Sequence, residues 1–260
     1  MTDITVPWGD ETQTFKLPAD WTVQQVAESA QPKADEDWRD RLARTLASPA
    51  AGKPLPELLA ANREGKVAII LEDVTRHSPL AEVLPIVMRE VRHAGIADDQ
   101  VELVFACGMH PEMTARQVAD KIGAEWTHLN FRSNAWQDGD AYERVGKVGR
   151  VNVMIDRGVL EADVRIIISS VSVHLQAGFG GGYKMFFPGV ASQETIRGIH
   201  SLGLKKKGQH QLGGTTLDTN PMRRTIDAAG ALVDAHHGTT FAVQYLLDAN
   251  NQPTATASGE

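Results

Sequence analysis

The stretch from Lys66 to Asp73, KVAIILED, is short, nearly continuous in apolar residues and rich in β-branched ones. That pattern suits a strand covered on both faces of a parallel sheet. After it Leu80, Val83, Leu84, Val87 and Val91 recur at helical spacing up to Gly95, with Ser78-Pro79 as the expected cap and first helical position. Pro85 lies inside that helix and is expected to kink it. The strand pattern returns in QVELVFACGMH (100–110), followed by a helix opened by a Thr114/Gln117 capping box and closed at Gly123. RVNVMID (150–156) and DVRIIISSVSV (163–173) predict further strands of the sheet. Ser192 is the expected cap of a helix carrying His200, and Asn220-Pro221 opens another through Ile226, Ala229 and Val233. Residues 1–22 read as a short β entry, and DWRDRLARTLASPAAGKPLPELLA as helix broken by Gly52, Pro54 and Pro56. The last segment, TTFAVQYLLDANNQPTATASGE, reads as strand, polar turn and strand.

Alternation of strand and helix predicts an α/β fold: a Rossmann-like, mostly parallel sheet with helices on both faces, ending in a C-terminal β-hairpin. Ligands of such sheets bind beyond the carboxyl ends of the strands, so the loops after strands are where chemistry is expected.

Composition narrows the partners. The 260 residues are 42% hydrophobic and 23% charged, enough for a substantial core. The net charge is -7 and the basic residues are dispersed, apart from Lys205–Lys207, which reads as a solvated face. That leaves no electrostatic footprint for nucleic acid and favours a small-molecule partner. The single cysteine, Cys107, excludes an intrachain disulfide and a Cys-rich zinc site and fits a reducing compartment. The start lacks a signal peptide's basic and apolar regions, and no apolar stretch nears the roughly 20 residues of a membrane span. A cytoplasmic protein with no membrane partner is expected.

Three loops after strands hold the unusual residues. EDVTRHSP carries Asp73, Thr75, Arg76 and His77, where a guanidinium can grip a carboxylate or phosphate bidentately. ACGMHPEMT carries His110, an imidazole able to take a proton near neutral pH, beside the permissive Gly108. HLQAGFGGGYKMFFPG carries His174, then Gly178, Gly180, Gly181 and Gly182, then Lys184. Those glycines offer backbone N–H groups and room for an anionic ligand, yet they match neither the P-loop nor the dinucleotide fingerprint. His93, His128, His210, His236 and His237 have no comparable setting and read as surface or packing residues. From the residues alone, His110, His174 and His200 could also be ligands of a hydrolytic zinc ion.

DVTR (73–76), GMHPEMT (108–114), HLQAGFGGGYKMFFPG (174–189) with His200, and NPMRRTID (220–227) together resemble the nickel-dependent lactate racemases and their homologues, ordered and spaced as in that family's N-terminal domain. The resemblance implies that Lys184 holds a nickel pincer nucleotide through a thioamide bond, with Gly180, Gly181, Gly182 and Thr75 admitting it and His200 ligating the nickel. One imidazole suffices there, because the pincer itself supplies sulfur, carbon and sulfur. It also implies His110 and His174 as two general bases, one per enantiomer, with Arg76 anchoring the carboxylate of a small 2-hydroxy acid and Asp73 orienting Arg76. Inverting such a carbon by proton abstraction is unfavourable; hydride removal is feasible when a base takes the hydroxyl proton. Cofactor-synthesis proteins are then implied as partners. Pro111, Gly180 and RHSP depart from the commoner Arg, Ser and RPxP of the family, which bears on substrate identity. Family members carry a further C-terminal domain that closes over the site, so residues 1–260 are expected to be the cofactor-bearing domain without that lid. A cofactor carrier without turnover is the alternative of a different class.

Overall fold

The computed structural model describes residues 3–8, 11–24, 34–35, 37–203 and 216–260; the readings of Lys205–Lys207 and His210 lie outside them. The chain divides into two units, Met1–Gln31 and Pro32–Glu260. In the first, β1 (Asp3–Trp8) and β2 (Glu11–Lys16) form the expected β entry as an antiparallel hairpin, with Asp3 opposite Lys16.

The second unit opens with α1 (Trp38–Ala47) and α2 (Leu55–Ala61). Gly52 and Pro54 separate them, whereas Pro56 sits within the first turn of α2, where a missing N–H costs no helical bond. There follow β3 (Val67–Leu71), α3 (Leu80–His93), β4 (Val101–Phe105), α4 (Ala115–Ile122), β5 (Asn130–Ser133), β6 (Tyr142–Val148), β7 (Val151–Asp156) and α5 (Arg157–Glu161). Then come β8 (Val164–Ser170), the two-residue strands β9 (Val173–His174) and β10 (Gly178–Phe179), α6 (Gln193–Leu202), α7 (Pro221–Asp234), β11 (Thr239–Leu247) and β12 (Pro253–Gly259). Among the described residues no helix is long and apolar enough to cross a membrane.

Six strands make the main sheet in the order β5-β4-β3-β8-β11-β12; the first five are parallel, and β12 turns back antiparallel along β11. Every residue of β3 and of β8 is buried; β3 is accordingly an unbroken apolar run, while β8 sets Ile166–Ile168 between the buried Arg165 and Ser169. Val67, Ile69 and Leu71 pack into one core with Trp38, Leu42, Leu84 and Val118 from α1, α3 and α4. Ala68 and Ile70 face a second core with Ile155, Ile196 and Ile226 from β7, α6 and α7. Each fully buried aliphatic side chain contributes about 1.5–3 kcal/mol, so both layers hold the sheet.

Two local expectations are corrected. The 150–156 strand, β7, is not in the main sheet: it pairs antiparallel with β6 across Gly149-Arg150, and the hairpin lies in the second core's layer. Only alternate residues over most of β7 are fully buried, a half-covered pattern that does not require a place inside a parallel sheet. Ser78 does not cap α3; its hydroxyl donates to the Glu72 carboxylate, and helical conformation begins at Leu80. Pro85 lies inside this helix, which spans Leu80–His93.

From β3 the chain steps to β4 and β5 on one side, then returns through β8 to the other. The strand order reverses between β3 and β8, and a crevice opens at their carboxyl ends.

Candidate active site

The loop after β3 is anchored by its two acids. Glu72, 4% exposed, accepts from the Ser78 hydroxyl, from Ser170 N at 3.1 Å and from Ser170 Oγ at 2.9 Å. Burial pushes its carboxyl above the ordinary range, opposed by those hydrogen bonds and by the charge of Lys121. Asp73, 5% exposed, accepts at Oδ1 from Thr75 N at 3.0 Å and Thr75 Oγ1 at 2.5 Å, and its Oδ2 lies 2.6 Å from His110 Nδ1. Asp73 therefore supports His110 rather than orienting the Arg76 guanidinium, which instead reaches Thr75 O at 3.3 Å and Thr75 Oγ1 at 3.2 Å. Lys121 of α4 donates to Arg76 O at 2.5 Å and Ser78 O at 3.2 Å, pinning the loop from below. Burial lowers that ammonium, with Glu72 and Asp73 opposing.

The loop after β4 is held against the third loop. Gly108, at φ +57, donates its N–H to Gly189 O at 2.8 Å, a conformation that suits glycine. The fully buried Asn134 donates to Gly108 O at 2.9 Å and Ala191 O at 3.1 Å, and accepts from Tyr142 at 2.9 Å. Cys107 is buried, which pushes its thiol up to about 11 and leaves it a packing residue.

In the loop after β8, His174 sits opposite Gly178 in the short β9–β10 ladder. Its Nδ1 accepts from Gln176 N at 3.3 Å and Ala177 N at 3.1 Å. Burial, then the charges of Lys184, Arg76 and His200, hold it down to about 4, so it is neutral at physiological pH. The NPMRR stretch fastens this loop from outside: Asn220 donates to Gln176 O at 2.8 Å and Arg223 to Ala177 O at 3.2 Å and Phe179 O at 2.5 Å. Gly181 lies at φ +80, and a Cβ there would stand 2.9 Å from Ser170 O. Lys184 follows on a short 3-10 turn, where burial and then Arg76 and Arg223 bring its amine down to about 8. Ser192 caps α6 as expected, and His200 Nδ1, 2.8 Å from Ile196 O, donates to that carbonyl. That bond leaves Nε2 with a free lone pair.

Asp73, Thr75, Arg76, His110, His174, Gly180, Gly181, Lys184 and His200 all line one cavity of about 350 Å³. Gly182 does not; it lines a second cavity of about 380 Å³ with Tyr183, Arg223 and Gln244. Sequence reasoning missed Glu72, Met109, Met185 and Ile196 in the first cavity, as well as the supporting Lys121. Only Glu72 carried a signal, as a charge closing a fully apolar strand. Outside the site, His128 pairs with Asp98 and His237 with Asp163, both on the surface as expected.

The fold is α/β, with a cavity lined by charged and polar side chains at the switch point of its parallel sheet. The chain belongs to the lactate racemase N-terminal domain family, which matches residues 8–212. It is 28% identical over 234 residues to a lactate racemase of Thermoanaerobacterium thermosaccharolyticum, covering 87% of this chain and 53% of that protein. A second lactate racemase, from Lactiplantibacillus plantarum, is 26% identical over 204 residues, covering 77% of this chain and 47% of that protein. The chain thus spans about half the length of these curated relatives. The fold matches the solved lactate racemase apoprotein from T. thermosaccharolyticum with a TM-score of 0.80 at 23% identity, covering 100% of this chain and 59% of that one. A Thermotoga maritima structure matches with a TM-score of 0.60 at 19% identity, covering 79% of this chain and 53% of that one.

Proposed function

We propose that residues 1–260 are the cofactor-bearing domain of a racemase or epimerase of 2-hydroxy acids that uses a nickel pincer nucleotide attached through Lys184. The observation that carries this reading is the convergence of Lys184, His200, His110, His174 and Arg76 on one cavity. The residues fit such a group. An amine with a pKa of about 8 has a sizeable neutral, nucleophilic fraction near neutral pH, as an acyl linkage requires. His200 offers Nε2, its tautomer set by the Ile196 carbonyl, as the one protein ligand a pincer-held nickel needs.

When bound, that group supplies a hydride acceptor for C2 of the substrate. The chain's own residues do the rest. Arg76 meets the substrate carboxylate with its guanidinium, and His110, its Nδ1 side held by Asp73, offers Nε2 to the hydroxyl proton. Thr75, Gly180 and Gly181 line the same space and leave backbone accessible to the nucleotide. Among the described residues no group of three or more His, Cys, Asp or Glu is placed to hold a metal ion, so a three-histidine zinc site gains no support.

Intact-protein mass spectrometry after coexpression with the cofactor-synthesis proteins tests the reading. A covalent adduct, lost in Lys184→Ala, is expected, together with loss of optical rotation from a 2-hydroxy acid panel. Adduct without any turnover would assign the chain to cofactor carriage; absence of an adduct would remove the reading altogether.

A further inference from the structure

Two buried charges, Glu72 and Lys121, spend their hydrogen bonds on the chain around Arg76 rather than on a ligand. Glu72 follows the last residue of β3, and each of its carboxylate oxygens is engaged: Oε1 accepts from Ser170 N at 3.1 Å and Ser170 Oγ at 2.9 Å, and Oε2 from the Ser78 hydroxyl. Lys121 Nζ donates to Arg76 O at 2.5 Å and to Ser78 O at 3.2 Å. Ser78 is therefore held twice, its hydroxyl by the carboxylate and its carbonyl by the ammonium, and Arg76 is held once through its own carbonyl. The same carboxylate fixes the end of β8, on which the glycine loop rests. A Cβ at Gly181 would stand 2.9 Å from Ser170 O, and Gly181 O accepts from Lys184 N at 3.2 Å. From these contacts we infer that Glu72 and Lys121 are positioning residues: together they fix the main chain that presents Arg76, and Glu72 also ties that loop to the one carrying Lys184. The inference deepens the racemase reading and rests on it for the identity of the substrate.

Stability alone is a poor reason for such a pair, because apolar residues of the same volume often serve a core as well as two buried opposite charges. Burial raises the Glu72 carboxyl and lowers the Lys121 ammonium, and each is opposed by the charge of the other. What the pair supplies is direction. Hydrogen bonds fix two carbonyls, a hydroxyl and a strand end at set places, whereas apolar side chains could only pack against them. Neither residue exchanges a proton with the substrate, so its loss is expected to show in binding. Arg76 grips the carboxylate alike before and during reaction, and a displaced guanidinium therefore raises KM while leaving kcat nearly unchanged.

Adduct-bearing protein is assayed as Glu72→Met, Lys121→Met and the two combined, with rates divided by the adduct measured by mass. Each single variant leaves one buried charge uncompensated and is expected to lower the urea midpoint; the double variant removes both charges and is expected to recover most of that loss. KM for the 2-hydroxy acid is expected to rise about tenfold in all three, with kcat within about threefold, because the loop has lost its ties whether or not the fold has recovered. Glu72→Gln keeps an acceptor for Ser170 and offers an N–H to the Ser78 hydroxyl, so its KM is expected to stay within about threefold of the parent. A KM that recovers with stability in the double variant, or that stays within about twofold of the parent in both single variants, overturns the inference. Hydrogen exchange in the isolated protein gives a reading that needs neither cofactor nor turnover. Relative to the amides of β4, those of 74–80 are expected to exchange faster in both Met variants, and those of 170–184 only in Glu72→Met. Unchanged exchange at 74–80 in both variants also overturns it, whereas parent protein without turnover defeats the racemase reading and leaves hydrogen exchange to judge the ties.

Discussion

At the scale of single residues, environment rather than identity separates the candidates. Lys184 differs from surface lysines because burial and two guanidiniums hold its amine at about 8. Its neutral fraction therefore rises as pH passes through about 8, well below the point at which exposed amines respond. Limited acetylation followed by peptide mapping is expected to show Lys184 labelling with an inflection near pH 8; labelling that tracks the exposed lysines would contradict its setting. His110→Ala is expected to cut turnover by about 10²-fold or more while the adduct on Lys184 persists, since the lost group handles a proton and holds no cofactor. Loss of the adduct in parallel would refute that division. For His174 the folded pKa of about 4 lies below its ordinary 6.5. Between those values the unfolded chain binds more protons, so this group's contribution to stability is full above about 6.5 and is lost as pH falls toward about 4. Urea midpoints measured from pH 7 to pH 4 should fall less steeply in His174→Gln than in the parent.

At the scale of elements, the glycine loop depends on one backbone state. Gly181 combines φ +80 with ψ -178, a region that is nearly glycine-only. An added Cβ also meets Ser170 O at 2.9 Å and Gln244 Oε1 at 3.0 Å. Gly181→Ala is expected to cost about 1–3 kcal/mol and to slow adduct formation on Lys184, read by chemical denaturation and by mass. A fully stable, fully loaded variant would mean the loop has room the geometry denies it. The glycine cluster was visible along the chain, but its fastening was not. Asn220 looked only like a helix cap, yet besides accepting from Arg223 N it donates to Gln176 O.

At the scale of the whole molecule, one arginine joins the main sheet to the β6–β7 layer. Arg132 on the edge strand β5 meets Glu102 of β4 at 2.9 Å and Asp156 at the end of β7 at 2.5 Å. Asp156 is 3% exposed in its side chain and also caps α5 through Val159 N at 2.9 Å. Arg132→Met would leave that carboxylate buried and uncompensated, a loss on the order of 3 kcal/mol in urea unfolding. A change under about 0.5 kcal/mol, the usual size for surface positions, would show the bridge to be incidental.

The chain by itself pointed to β3, β4 and β8, because short, β-branched, mostly apolar segments suit strands covered on both faces, with Glu102 and Arg165 as the charged interruptions. It also determined that Asp73, His110, His174 and Lys184 follow strands, and parallel topology then brings the carboxyl ends together. Tertiary structure alone decided the rest. Whether β7 joined the main sheet or a hairpin turned on its pairing with β6, which local pattern leaves open. The pairing of Asp73 with His110, 37 positions apart, and the main-chain N–H groups aimed at His174 exist only after folding. A histidine's tautomer is set by whichever group meets its ring nitrogen, and no spacing along a chain encodes that meeting.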